Sequence, residues 1–134
     1  MPSPPAPFTF TNLQQALANN VLITAELFAQ HDLDSLLDLR DQAPFDSQWL
    51  ASFHAIDTQW QTADIDATAL DALRQQVFIS ASRLTQQHEI ASYICDDFEL
   101  IGKMLLLEVA EPFIEYLLQQ YLQQRFPTHI PDLV

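Results

Sequence analysis

Only one glycine, Gly102, occurs among the 134 residues of this chain. Tight hairpins, bulges and many sharp turns use glycine, because it alone enters left-handed backbone without steric cost. A chain nearly without it, and rich in Leu, Ala and Gln, is directed towards helices joined by short connections. No segment shows sustained strand alternation, and the apolar fraction of 49% is enough to build a core. The expected fold is all-α: a single compact domain of about six or seven amphipathic helices in an irregular multi-helix bundle. Residues 1–10 read as a Pro-rich leader, 11–127 as the helical domain and 128–134 as an irregular tail.

Periodicity and capping residues place the helices. Thr11 with Gln14 fits a capping box ahead of Leu13, Leu17, Val21, Leu27 and Phe28, a first helix reaching about residue 30 with Asn19-Asn20 as its weak spot. Asp32 caps a short second helix using Leu33, Leu36 and Leu37. Asp46 or Ser47 opens a third, in which Trp49, Phe53, Ile56 and Trp60 form the cleanest apolar stripe. Leu70, Leu73, Val77, Ala81 and Leu84 mark a fourth. A fifth helical region spans about 86–109. Glu111-Pro112 starts the last helix, with proline at its first turn, and Phe126-Pro127 ends it.

Charge then narrows the functional classes. Eighteen acidic against five basic side chains give a formal charge of −13. A nucleic acid needs Lys and Arg to displace its counterions, so direct nucleic-acid binding is not expected. An anionic membrane surface would repel the chain, and no apolar run is long enough to span a bilayer. A basic protein is the complementary partner, because opposite fields steer encounter. The N-terminal MPSPPAPFTF has no basic region and no apolar signal core, and the lone Cys95 excludes an internal disulfide, so a cytoplasmic location is expected.

Candidate chemistry is sparse. Asp64-Ile-Asp66-Ala-Thr68 resembles the start of a calcium loop, but Ala69 and Gln75 stand where glycine and a bidentate glutamate are required. It reads instead as a cap for the fourth helix. His31-Asp32 lacks the further ligands a metal phosphohydrolase needs, and no Gly-rich phosphate loop is possible. His54 and Asp57 are three apart on one helix and can face the same way. Acidic neighbours raise the pKa of Cys95, the wrong direction for a nucleophile. No catalytic, cofactor or metal site is expected.

The richest stretch is Ser92-Tyr-Ile-Cys-Asp-Asp-Phe-Glu-Leu-Ile-Gly-Lys103. In one unbroken helix, Asp97 would fall within the apolar stripe of Ile90, Tyr93, Ile94, Phe98, Ile101 and Leu105, where an unpaired carboxylate is costly. With a break at Asp96, Asp96 becomes the N-cap, Glu99 completes a capping box, and Asp97 meets the positive end of the dipole. The break places every charge acceptably and is the preferred reading. Glu99 and Lys103 then form an i, i+4 pair, and Gly102 permits close helix approach.

In length and charge the chain resembles the small acidic bacterial proteins that include immunity proteins and other toxin-neutralising partners. That resemblance, the −13 charge and the missing catalytic set together imply a non-enzymatic interaction module, immunity- or inhibitor-like, that offers an acidic helical face to a basic protein. Asp96, Asp97, Glu99, Asp34, Asp38 and Asp41 are the candidate partner-facing residues. The alternative is an enzyme or small-ligand binder with an inter-helix pocket using His54/Asp57 or Asp96/Asp97/Glu99. Homo-oligomerisation through the Trp49/Trp60 or Phe113/Tyr121 faces is left open.

Overall fold

The computed structural model describes residues 8–29 and 32–129. The leader through residue 7, the tail from residue 130 and His31 lie outside them. The described residues form six α-helices and no strand: α1 Phe10–Ala18, α2 Leu33–Arg40, α3 Ala43–Thr62, α4 Thr68–Thr85, α5 His88–Leu107 and α6 Pro112–Leu122. A 3-10 turn, Ala25–Phe28, lies between α1 and α2. The fold is the expected all-α bundle.

Side chains open most of these helices. Asp32 accepts the Ser35 N–H at the start of α2, and Glu111 accepts the Ile114 N–H at the start of α6, where Pro112 takes the first position. Asp66 Oδ1 accepts from both the N–H and the hydroxyl of Thr68 at the start of α4. The calcium-like segment therefore holds the first residue of α4 from one position before the N-cap, while the N-cap itself, Ala67, has no side-chain cap. At α1 the reciprocal capping box is made by Thr9 and Asn12, not by Thr11 and Gln14. That earlier start brings Phe10 into the core, while the helix stops at the Asn19-Asn20 weak spot and leaves Val21 exposed.

Helix ends show what the scarcity of glycine entails. Asn20, Gln86, Glu108 and Gln124 all adopt positive φ, between 54° and 59°. After α5, the Glu108 N–H reaches the Leu105 carbonyl and the Val109 N–H reaches that of Met104, which is a Schellman ending. Asn20–Val21 and Gln124–Arg125 repeat it after α1 and α6. Glycine normally fills the left-handed position, and a residue with a Cβ costs about 1–2 kcal/mol there. Glu108 adds a carboxylate at the negative end of a 20-residue helix, worth about 0.3–1 kcal/mol in the unfavourable direction.

The one glycine is used inside a helix instead. A Cβ at Gly102 would sit 2.5 Å from Leu70 Cδ1 of α4 and 3.3 Å from Phe10 Cε2 of α1. Its absence lets both helices approach α5, as the sequence suggested. Gln86 and Gln87 alone connect α4 to α5, so the two run as an antiparallel hairpin. Around α5 the other helices pack so closely that Ile90, Ala91, Ile94, Phe98 and Ile101 are fully enclosed. Such a helix, apolar over most of its circumference, belongs at the centre of a bundle.

α5 is continuous, and the break expected at Asp96 does not occur. Capping had favoured a break because it spared Asp97 from burial. The bundle removes that cost differently, by bringing a cation to the carboxylate.

Candidate functional site

Asp97 is completely buried, and four hydrogen bonds saturate its two oxygens. Arg40 at the end of α2 donates through Nη1 to Oδ2 at 2.9 Å and through Nη2 to Oδ1 at 2.7 Å. Trp49 Nε1 of α3 donates to Oδ1 at 2.9 Å, and the Tyr121 hydroxyl of α6 donates to Oδ2 at 2.6 Å. One carboxylate thus ties four helices together. The Arg40 guanidinium lies over the rings of Phe45, Phe126 and Tyr93 at 4.5, 5.2 and 5.4 Å from their centroids. Burial pulls the pKa of Arg40 down, but the charge and hydrogen bonds of Asp97 outweigh it, and the net shift is upwards. Burial first, and the Asp97 charge second, push the Tyr121 hydroxyl well above its ordinary value.

A second cluster lies further along α5. Glu99 receives Lys103 Nζ at 3.3 Å, the expected i, i+4 pair, and Arg74 Nε of α4 at 3.8 Å. Lys103 is itself buried and sits 5.5 Å from the Trp60 ring centroid. The ion pairs among the described residues therefore use Arg40, Arg74 and Lys103, three of only five basic side chains. Every described carboxylate except that of Asp97 is at least partly exposed. The outer surface is thus more one-sidedly acidic than the composition suggests.

The partner-facing candidates separate accordingly. Asp34, Asp38 and Asp41 are exposed at i, i+4 and i+7 along α2 and its end. Asp41 also accepts a short hydrogen bond from the Tyr93 hydroxyl of α5. That bond, helped by burial and by the charges of Asp41 and Glu89, pushes Tyr93 up to about 12. Asp96 is half-buried and Glu99 is engaged by its two cations. Asp97 requires a correction: it offers no oxygen to a partner, because Arg40, Trp49 and Tyr121 use all of it.

Immunity protein PIM1 is the family whose pattern matches this chain, over residues 12–128. The chain belongs to the immunity protein PIM1 family. No curated protein matches it. The span that carries the PIM1 likeness contains Arg40, Trp49, Asp97 and Tyr121, so the four-helix tie lies within the family's domain.

Among the described residues of this PIM1-family protein, His54 and Asp57 share no hydrogen bond. His54 is exposed on α3, and Asp57 accepts from Gln61 Nε2 on the same helix. Among the described residues no three His, Cys, Asp or Glu side chains are grouped to hold a metal ion. Cys95 donates to the Arg74 carbonyl at 3.5 Å. Burial raises its thiol pKa, and Asp96 and Glu99 add to that, while Arg74 opposes it. Among the described residues no helix is long and apolar enough to cross a membrane.

Asp96 yields a prediction. Burial, then the charges of Asp97 and Glu99, raise its pKa above the ordinary 3.8. A carboxyl whose folded-state pKa is raised contributes stability below its unfolded pKa and loses it as pH rises through the folded value. At neutral pH the charged Asp96 therefore works against folding. Asp96→Asn should be more stable than wild type at pH 7, and the gain should shrink as pH falls towards 4. Urea titrations at both pH values measure this, and a gain independent of pH would refute the electrostatic cause.

Sequence reasoning missed Arg40, Trp49 and Tyr121 as a set. Asp97 in an apolar stripe was the available signal, because a carboxylate at such a position requires a buried cation elsewhere in the chain.

Proposed function

We propose that this PIM1-family chain is a toxin-neutralising protein: it binds a toxin, without chemistry of its own, by presenting an acidic helical surface to a basic face of that toxin. Family membership carries the reading, and the distribution of charge supports it. The Asp34, Asp38 and Asp41 row on α2, with the exposed Glu89 nearby, supplies a negative field that no cation on α2 other than the inward-facing Arg40 offsets. Asp96 and the remaining exposed edge of Glu99 add to the field from α5. Opposed fields of this kind accelerate encounter more than they tighten the final complex. The free, buried thiol of Cys95 is compatible with a cytoplasmic setting.

The test is co-expression of this chain with each protein encoded beside its gene. A toxin that co-purifies at low ionic strength, and whose toxicity is relieved by this chain, is the expected result. Unchanged toxicity and no complex at about 50 mM salt, where the Debye length exceeds 10 Å, would overturn the reading.

A further inference from the structure

At the end of the bundle where α5 stops, a groove of about 750 Å³ opens between the start of α1, the end of α5 and the exposed side of α6. Phe8, Leu105, Leu106 and Val109 form its walls and remain only partly buried. Met104 and Leu118 lie at its base. Glu108 and Glu115 stand at its margin, both exposed and neither in an ion pair among the described residues. No Lys or Arg lines it. Thr9, Thr11 and Gln119 also line it, but its only charged side chains are the two carboxylates, so it is complementary to an apolar side chain flanked by cationic ones.

Glu108 gives this groove its particular weight. Left-handed backbone disfavours any residue with a Cβ, and the negative end of α5 disfavours a carboxylate, yet both meet at this one position. A glycine or asparagine there would relieve the fold. Local strain that a fold does not require tends to gather where a binding surface does.

Resting on the toxin-binding reading above, we propose that this groove is the anchoring site for the toxin, seating an apolar side chain between Leu105, Leu106 and Val109 while a flanking Lys or Arg of the toxin pairs with Glu108. The acidic row on α2 then governs the rate of encounter, and the groove governs how long the complex lasts. Interfaces concentrate affinity in a few well-packed anchors, whereas exposed charges act mainly on association.

The test uses the toxin co-purified with the wild-type chain and compares dissociation rates and melting temperatures for wild type, Glu108→Asn and Leu106→Gln. Glu108→Asn is expected to raise Tm by a few degrees, since asparagine tolerates the left-handed position and removes the charge. It should at the same time speed dissociation by about tenfold or more. Leu106→Gln, checked for folding by its Tm, should speed dissociation similarly. A purely structural role for Glu108 predicts the higher Tm with unchanged dissociation.

If the wild-type chain captures toxin and both variants release it at the wild-type rate, the groove assignment is overturned and the functional reading stands. If the wild-type chain captures none, both fall. A wild-type homodimer that both variants dissociate in the absence of toxin would identify a second copy as the occupant, and would also overturn the assignment.

Discussion

Asp97→Ala is expected to remove about 3–5 kcal/mol of folding stability, the usual loss when one member of a buried ion pair is deleted. The substitution leaves the Arg40 guanidinium enclosed without its counterion, and it strips the Trp49 and Tyr121 donors of their acceptor. Domains of this size are stable by only about 5–15 kcal/mol, so the loss is a large share of the total. Urea denaturation followed by circular dichroism measures the loss. A drop below about 1 kcal/mol would mean that water or a rearranged side chain replaces the carboxylate. The double substitution Arg40→Leu/Asp97→Leu should recover much of the loss, since it deletes both charges together. Its non-additivity is the measure of coupling between the two.

The second large effect concerns association. Asp34→Lys with Asp38→Lys shifts the formal charge from −13 to −9, because each reversal adds two charges. Both side chains are exposed and take no part in the Asp97 network. A lysine replacing Asp34, in the first turn of α2, opposes the dipole by about 0.3–1 kcal/mol, whereas one replacing Asp38, near the other end, is favoured. The fold should therefore survive. The association rate with the captured toxin should fall by about tenfold or more at low salt, with little change in dissociation. The wild-type rate should itself decline steeply as salt rises, and that of the double variant less so. Stopped-flow or surface-based kinetics at two ionic strengths decide it, and equal association rates for the two proteins would remove α2 from the steering surface.

Much of the architecture was legible because its signals are local. Scarce glycine pointed to helices, and Asp32, Asp66 and Glu111-Pro112 marked starts that the structure retains. Helix ends were harder to read, since Asn20, Gln86, Glu108 and Gln124 occupy positions where glycine would ordinarily announce the stop. For that reason α6 ends at Leu122, well before Phe126-Pro127. The break at Asp96 failed for a different reason. Asp96 and Glu99 do have the spacing of a cap, but a cation 57 residues away made continuity of α5 the better solution. Pairings at that separation leave no trace in periodicity. The Lys103–Glu99 pair, four residues apart, was visible for the opposite reason.

The Arg40 contact has a further consequence for the surface that α2 displays. An eight-residue helix is too short to hold its shape alone in water, where isolated helices below about 12–15 residues are marginal. Yet its last residue is locked into the centre of the bundle. The carboxylates of Asp34 and Asp38 are therefore carried on a lever whose inner end cannot move unless the whole domain opens. A partner meeting that face encounters a row of charges already fixed in place, and little ordering entropy remains to be lost on contact. The same coupling makes the row an all-or-none feature. Amide exchange along α2 should slow to the rate of global unfolding, and a chain that has not closed around Asp97 would not display the row at all.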